Sequence, residues 1–232
     1  MEGSYFGKFI RKVASLASLA DYYVNSQSED VGQTPEAILE FAYRHYPNKP
    51  NQIRSEMLRF ARLVHKWRPK TLVEIGTHTG GTFFVLCRCA DPDAMVISLD
   101  LPGARFSGSY PRLIKHLLPR APLSTQTLKI LRADSHQRDS ANWLEATLHG
   151  GSVDVMLIDG DHTYAGVKQD FEMYSAFVRK GGIVAFHDIV KHPAETGCDV
   201  ESYWEQVKLR HEHQEFIEDP KQGWGGIGVL YV

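Results

Sequence analysis

One feature of this 232-residue chain constrains its fold more than any other. It is an apolar run that has an acid near its end and is followed at once by a glycine-rich turn. The run is Thr71-Leu-Val-Glu-Ile75; Gly76, Gly80 and Gly81 follow it, and then a segment of helical character. Strand, glycine turn and helix together suit a nucleotide, because glycine lets the backbone approach a ligand and helix-start N–H groups point at it. The spacing Glu-x-Gly-x-x-x-Gly differs from the Gly-x-Gly-x-x-Gly of dinucleotide sites. An ordinary turn without a ligand is the alternative.

Strand-like and helix-like segments alternate from residue 70 onward. This alternation predicts an α/β fold, a Rossmann-like parallel sheet with helices on both faces. The predicted strands are 71–75, 95–99, 127–131, 153–158 and 182–186, and the helices between them are 82–90, 111–118, 140–148 and 163–178. A helix at 200–209 and a final pair of strands, 215–217 and 226–232, complete the expected seven strands.

The region before residue 70 has a different pattern. Apolar residues recur at helical spacing over 5–24, and helix-start signals open two more predicted helices at 34–43 and 52–67. We therefore divide the chain into a helical cap, 1–69, and an α/β domain, 70–232, which contains the glycine turn. The cap helices also provide a surface on which a homodimer could form.

Composition narrows the class of protein. Hydrophobic residues make up 43% of the chain, enough for a large core, and the net charge of −2 does not favour nucleic acid or anionic membranes. Three cysteines without a Cys-x-x-Cys motif are typical of a reducing compartment. No apolar run is long enough to cross a bilayer. These features predict a cytoplasmic protein with neither a nucleic-acid nor a membrane partner.

Acids and histidines stand where the predicted strands end. Ligands of open parallel sheets bind outside the carboxyl ends of the strands, so these residues are candidates for a site. Asp100, at the end of the second strand, is placed to hold the ribose hydroxyls of an adenosine group. The full set of candidates is Glu74, Gly76, Thr77, His78, Gly80, Asp100, Leu101, Asp134, Ser135, Asp159, Asp161, His162, His187 and Asp188.

The ends of the fourth and fifth strands suggest a metal site. Asp159, His187 and Asp188 would form an oxygen-rich group with open positions, which suits Mg²⁺ or Mn²⁺. The alternative is that Asp161 and Asp188 cap the following segments while the histidines form local hydrogen bonds.

Two later motifs narrow the class of protein further. They are Leu157-Ile-Asp-Gly-Asp-His-Thr-Tyr164 and Lys180-Gly-Gly-Ile-Val-Ala-Phe-His-Asp188. With the glycine turn and Asp100, they resemble the class I S-adenosylmethionine-dependent methyltransferases. Within that class they resemble the small-molecule O-methyltransferases of bacterial secondary metabolism, including cephalosporin hydroxylase-like and macrolide-sugar enzymes. Catechol and caffeoyl-CoA O-methyltransferases are more distantly similar. The resemblance covers about residues 70–190.

This resemblance implies roles for individual residues. The turn from Glu74 through Gly80 would surround the methionine part of the cofactor, and Thr82 would bind its carboxylate. Asp100 and Leu101 would hold the ribose, and Asp134 and Ser135 would contact the adenine. Asp159 and Asp161 are also counted with the cofactor site. Asp159, His187 and Asp188 occupy the metal-ligand positions, and His162 lies where catechol-type enzymes carry a general base; the predicted catalytic residues are therefore His162, Asp159 and His187.

The predicted activity is methyl transfer from S-adenosylmethionine to a hydroxyl of a small molecule, such as a natural product, a sugar or a catechol-like phenol. Position 187 departs from the resembled family, which has a carboxylate or an amide there. Histidine suits Mn²⁺, Fe²⁺ or Zn²⁺ better than Mg²⁺, or else acts as a base. A metal-independent methyltransferase with a histidine base therefore stays open. An NAD-dependent oxidoreductase and a non-catalytic scaffold are further alternatives.

Overall fold

The computed structural model describes residues 22, 26, 31–45, 49–103 and 117–232. Most of the helix predicted at 5–24 and nearly all of the helix predicted at 111–118 lie outside the described residues.

Seven strands form one sheet in the order β3-β2-β1-β4-β5-β7-β6. Strands β1 to β5 run parallel, and β7 is antiparallel to both of its neighbours, β5 and β6. The predicted Rossmann-like sheet with one reversed strand is confirmed. The strands β1 to β7 are Thr71–Ile75, Met95–Leu99, Thr127–Leu131, Val153–Ile158, Val178–His187, Glu212–Phe216 and Ile227–Tyr231.

Helices cover both faces of this sheet, as predicted. Helices α1, α2 and α3 are Pro35–His45, Arg54–Trp67 and Gly81–Cys89; helices α4, α5 and α6 are Arg138–Leu148, Tyr164–Tyr174 and Val200–Val207. Short 3₁₀ turns occur at Leu118–Arg120, Ser175–Phe177, Ala194–Thr196 and Lys208–Arg210. Among the described residues no helix combines the length and the apolar character needed to cross a membrane.

Successive side chains of each strand point to opposite faces of the sheet, and each face has its own hydrophobic core. Leu72 of β1 points to the side covered by α1, α2 and α3, where Phe60 and Phe84 are fully buried. Val73 points to the opposite side, where Trp204 of α6 fills the core. The helices before residue 70 thus share a hydrophobic core with the sheet. Their division from the rest as a functional cap stays a prediction.

Candidate active site

The glycine turn after β1 lies directly against the end of β4. Gly76 has φ 89°, and a Cβ added there would lie 2.1 Å from the carbonyl oxygen of Asp159. Hydrogen bonds from the Gly76 N–H to Leu99 O and from the Asp159 N–H to Ile75 O, both 2.8 Å, tie the three strand ends together. Only glycine combines this φ with this backbone approach. The predicted cofactor turn and the first predicted metal ligand are therefore neighbours.

Asp100 supports that turn with one carboxylate oxygen and leaves the other without a hydrogen bond. Oδ1 accepts the His78 N–H at 2.8 Å, whereas buried Oδ2 has no hydrogen-bond partner among the described residues and lies 3.9 Å from Arg132 Nη1. Burial raises the pKa of Asp100, and the His78 N–H and the Arg132 charge offset only part of that rise. A buried acceptor oxygen of this kind fits a ligand hydroxyl.

Glu74 lies beneath the same turn. Its side chain is buried, and Oε2 has no hydrogen-bond partner in the described part of the chain. Burial first, and then the carboxylate of Asp159, raise the pKa of Glu74 well above its usual value. The turn therefore has a second buried carboxyl oxygen that a ligand donor could satisfy.

A glutamine that sequence analysis missed connects the turn to the predicted metal site. Gln52, in the loop before α2, accepts the Thr82 hydroxyl at 2.5 Å and donates to Asp159 Oδ2 at 2.8 Å. Gln52 and Thr82 are both buried. Nothing in the Pro-Asn-Gln-Ile context of Gln52 separates it from an ordinary residue before a helix. The region before residue 70 thus supplies a side chain to the candidate site.

The three predicted metal ligands come together at the ends of β4 and β5. His187 Nδ1 lies 3.1 Å from Asp159 Oδ1 and 3.4 Å from Asp188 Oδ1. The ligand atoms of Asp159, His187 and Asp188 all lie within 4.8 Å of one another. Asp188 has φ 64°, a strained value for a residue other than glycine, and such strain concentrates at functional sites.

Asp188 is the centre of a larger cluster. Its Oδ1 also accepts the Gly225 N–H at 3.0 Å and lies 3.1 Å from His192 Nε2, while Oδ2 lies 2.8 Å from His162 Nδ1. The carboxylate that orients His162 is therefore Asp188. His192 and Gly225 were not predicted, and only their place in the fold brings them here.

Opposing charges shift the pKa values of the histidines and of Asp188 in this cluster. Burial lowers the pKa of His187, but Asp159 and Asp188 outweigh it and raise that pKa to about 8. Burial likewise lowers the pKa of His162, but hydrogen bonds with Asp188 and Cys198 raise it to about 11. The histidines in turn hold the pKa of Asp188 far below its usual value, against the effect of burial. The cluster thus combines imidazole and carboxylate donors, a set that fits a divalent cation.

The remaining predicted residues make local contacts. Asp134 accepts the His136 N–H at 2.9 Å and Gln137 Nε2 at 3.2 Å in the turn before α4, and the Ser135 carbonyl accepts the Tyr174 hydroxyl at 2.6 Å. Asp161 accepts the Thr163 N–H at 2.8 Å. Leu101 is exposed beyond β2. The adenine and cofactor roles of these four residues stay predictions.

The fold and the site define a class of protein. A sheet of this order, a glycine turn after β1, an acid at the end of β2 and a polar cluster at the ends of β4 and β5 form the architecture of class I methyltransferases. Residues 73–189, half of the chain, match a family model described as a methyltransferase domain. The chain belongs to this methyltransferase family, and the resemblance inferred from its motifs is confirmed.

Solved structures share this fold at low sequence identity. An O-methyltransferase from Bacillus cereus, in complex with SAH, has a TM-score of 0.60 and 18% identity over 92% of this chain and 97% of that chain. A putative caffeoyl-CoA O-methyltransferase from Staphylococcus aureus has a TM-score of 0.60 and 16% identity over 92% and 100%. TomG, an O-methyltransferase from Streptomyces achromogenes in complex with SAM, has a TM-score of 0.55 and 17% identity over 92% and 95%.

Two curated relatives are uncharacterised proteins. One, y4gI of Sinorhizobium fredii, is 29% identical over 173 residues, which are 73% of this chain and 18% of that protein. The other, R132 of Acanthamoeba polyphaga mimivirus, is 48% identical over 42 residues, which are 18% of this chain and 19% of that protein. The matches thus span less than a fifth of the length of either relative.

Proposed function

We propose that this chain transfers a methyl group from S-adenosylmethionine to a hydroxyl of a small molecule, assisted by a divalent metal at Asp159, His187 and Asp188. The contact between Gly76 and Asp159 carries the proposal, because the turn that we propose for the cofactor lies beside the cluster that we propose for the metal. A methyl donor bound on the turn and a hydroxyl bound at the cluster would then meet. The structural neighbours crystallised with SAH and SAM support the choice of cofactor.

In the proposed reaction the acceptor oxygen bonds to the methyl carbon as the carbon–sulfur bond breaks. The bonding electrons go to sulfur, so the positive sulfonium becomes a neutral thioether, S-adenosylhomocysteine. The hydroxyl proton goes to a base, for which we propose His162, held 2.8 Å from Asp188. When bound at Asp159 and Asp188, a divalent metal would lower the pKa of the hydroxyl and fix its position. It would also offset the carboxylate charge that raises the pKa of His162, so that this imidazole could accept the proton.

The chain's own residues divide the remaining tasks. Asp100 would bind the ribose through its unbonded Oδ2, and Thr82 would bind the methionine carboxylate. Gln52 would set the relative positions of Thr82 and Asp159, because it is hydrogen-bonded to both. The helices before residue 70 then act as a cap that completes the site. We propose small hydroxyl compounds, such as natural products, sugars or catechol-like phenols, as acceptors; a homodimer and a cytoplasmic location stay predictions.

Calorimetric titration with S-adenosylhomocysteine tests the cofactor assignment. We expect micromolar binding by the wild-type protein and at least tenfold weaker binding by Asp100→Ala, a loss of about 1.4 kcal/mol or more. Asp93→Ala is the matched control, because Asp93 is exposed just before the other end of β2. Absence of binding by folded wild-type protein, or equal binding by Asp100→Ala, would contradict the assignment.

Manganese titration of the protein saturated with S-adenosylhomocysteine tests the metal. Mn²⁺ is paramagnetic, so its binding can be followed by electron paramagnetic resonance. We expect Asp159→Asn to weaken binding at least tenfold, because it removes a charged ligand. Asp154→Asn, near the start of β4, should bind Mn²⁺ like the wild type. If the wild type binds S-adenosylhomocysteine but no Mn²⁺, the metal-independent reaction with a histidine base takes the place of this proposal.

A further inference from the structure

We propose that His162, Asp188 and Cys198 form a second cation site, selective for thiophilic divalent metals such as Zn²⁺ and Co²⁺. The ligand atoms of these three residues lie within 4.8 Å of one another. Their donors are an imidazole, a carboxylate and a thiol. Three protein ligands and one open position are the arrangement of exchangeable zinc sites.

A strand end and hydrogen bonds hold the three ligands in place. Asp188 follows the end of β5, and its Oδ2 lies 2.8 Å from His162 Nδ1. The Asp199 N–H donates to the His162 carbonyl at 2.8 Å, so the backbone beside Cys198 is fixed to the backbone of His162. The Cys198 N–H donates to Thr196 Oγ1 at 3.1 Å, within the turn that ends at Gly197. The three donors therefore converge before any ion binds.

Metal–ligand distances show how small the required movement is. Zinc binds nitrogen and oxygen at about 2.0–2.2 Å and sulfur at about 2.3 Å, which places tetrahedral ligand atoms roughly 3.3–3.8 Å apart. The upper limit of the present separations, 4.8 Å, is about 1 Å longer than this range, whereas the 2.8 Å between His162 Nδ1 and Asp188 Oδ2 is about 0.5 Å shorter and would have to open. Rotations of side chains on the surface side of the cluster suffice, because Cys198 and His162 are both partly exposed.

The thiol distinguishes this site from the site proposed for catalysis. Asp159, His187 and Asp188 offer two carboxylates and an imidazole, a set that suits Mn²⁺, whereas thiolate ligands favour zinc and similar metals. Asp188 turns Oδ1 toward His187 and Oδ2 toward His162, so its two oxygens serve different groups. On the proposed function, a cation on His162 Nδ1 would prevent that residue from accepting a proton. A thiophilic metal at this site would thus oppose turnover.

Cobalt titration of the reduced full-length protein tests the site directly. A thiolate bound to Co²⁺ gives a charge-transfer band in the near ultraviolet, whereas carboxylate and imidazole ligands alone do not. We expect this band to appear with about one equivalent of Co²⁺ and to disappear in Cys198→Ser. Zn²⁺ affinity should fall at least tenfold in the same variant.

Two control variants test whether the charge-transfer band comes from this site. Cys89→Ser alters a fully buried thiol of α3 and should keep the band. Asp159→Asn alters a ligand of the first metal group but none of the three ligands of this site, so it should also keep the band, and the result does not depend on the proposed catalytic metal. Circular dichroism confirms folding, and His162→Gln serves as the second test if Cys198→Ser fails to fold. A wild type without the band, or a band that persists in a folded Cys198→Ser or His162→Gln, would overturn the proposal.

Discussion

Replacing Gly76 by alanine is expected to destabilise the protein by at least about 3 kcal/mol and to abolish S-adenosylhomocysteine binding. Two effects combine. A left-handed φ costs a residue with a side chain about 1–2 kcal/mol, and the new Cβ would overlap the Asp159 carbonyl oxygen, 2.1 Å away. The overlap can be relieved only if the ends of β1 and β4 separate, and the proposed cofactor and metal sites lie there. Urea unfolding and calorimetry measure the two losses.

Gly150→Ala is the matched control for this prediction. Gly150 has φ 80°, close to that of Gly76, but a Cβ there would meet no atom within 4 Å. Its substitution should therefore cost only the strain of the backbone, about 1–2 kcal/mol, and leave ligand binding unchanged. If the two variants lose equal stability and both bind S-adenosylhomocysteine, the close approach of Gly76 to Asp159 is wrong.

Glu56→Ala is expected to cost at least about 3 kcal/mol, because Glu56 is fully buried and accepts three hydrogen bonds. Its Oε1 accepts the Glu218 N–H at 3.0 Å and Gln222 Nε2 at 2.8 Å, and Oε2 accepts the Gly226 N–H at 2.8 Å. Alanine would leave all three donors without this partner. Helix α2 would then lose the three hydrogen bonds by which Glu56 holds the loop whose Gly225 N–H contacts Asp188.

Glu56→Ala should affect the proposed metal site as well as stability. We expect weaker Mn²⁺ binding, since the Gly225 N–H helps to position Asp188. Glu40→Ala provides the comparison: Glu40 is on α1 and pairs with Arg44 and Arg54 at the surface, where salt bridges contribute little. Urea unfolding of both variants at one pH gives the difference. Equal midpoints for the two variants would show that the buried carboxyl group does not hold the loop.

The strands of the sheet centre could be read from the sequence because they are buried. Strands β1, β2 and β4 have the predicted bounds, since buried apolar residues bounded by turns leave little choice of ends. Strand β3 also has the predicted bounds, although it lies at the edge of the sheet and its residues are exposed or half-buried. Strand β5 begins at Val178 rather than 182, and its pairing with β4 shifts register between Val153 and Val155. The polar residues 179–181 gave no strand pattern. Strand β6 begins at Glu212 rather than 215, because its exposed residues are ordered by backbone pairing with β7 and not by burial.

The end of a parallel strand is a position that sequence alone identifies. Asp100, Asp159, His187 and Asp188 were found because each directly follows, or closes, an apolar run, and parallel strands bring such ends to one edge. The functional part of the chain was therefore predictable as a set of candidate residues. Their division into roles was not, because a role depends on which atoms meet.

Only the tertiary structure determined which side chains are in contact. Gln52, Glu56 and Cys198 lie outside the motifs and carry no motif of their own, yet each contacts the site or the loop that supports it. Their side chains reach it because α2 and the segments after β5 pack around the carboxyl ends of the strands. Local patterns record burial and backbone preference, whereas a contact between residues more than 100 positions apart depends on the packing of the whole chain.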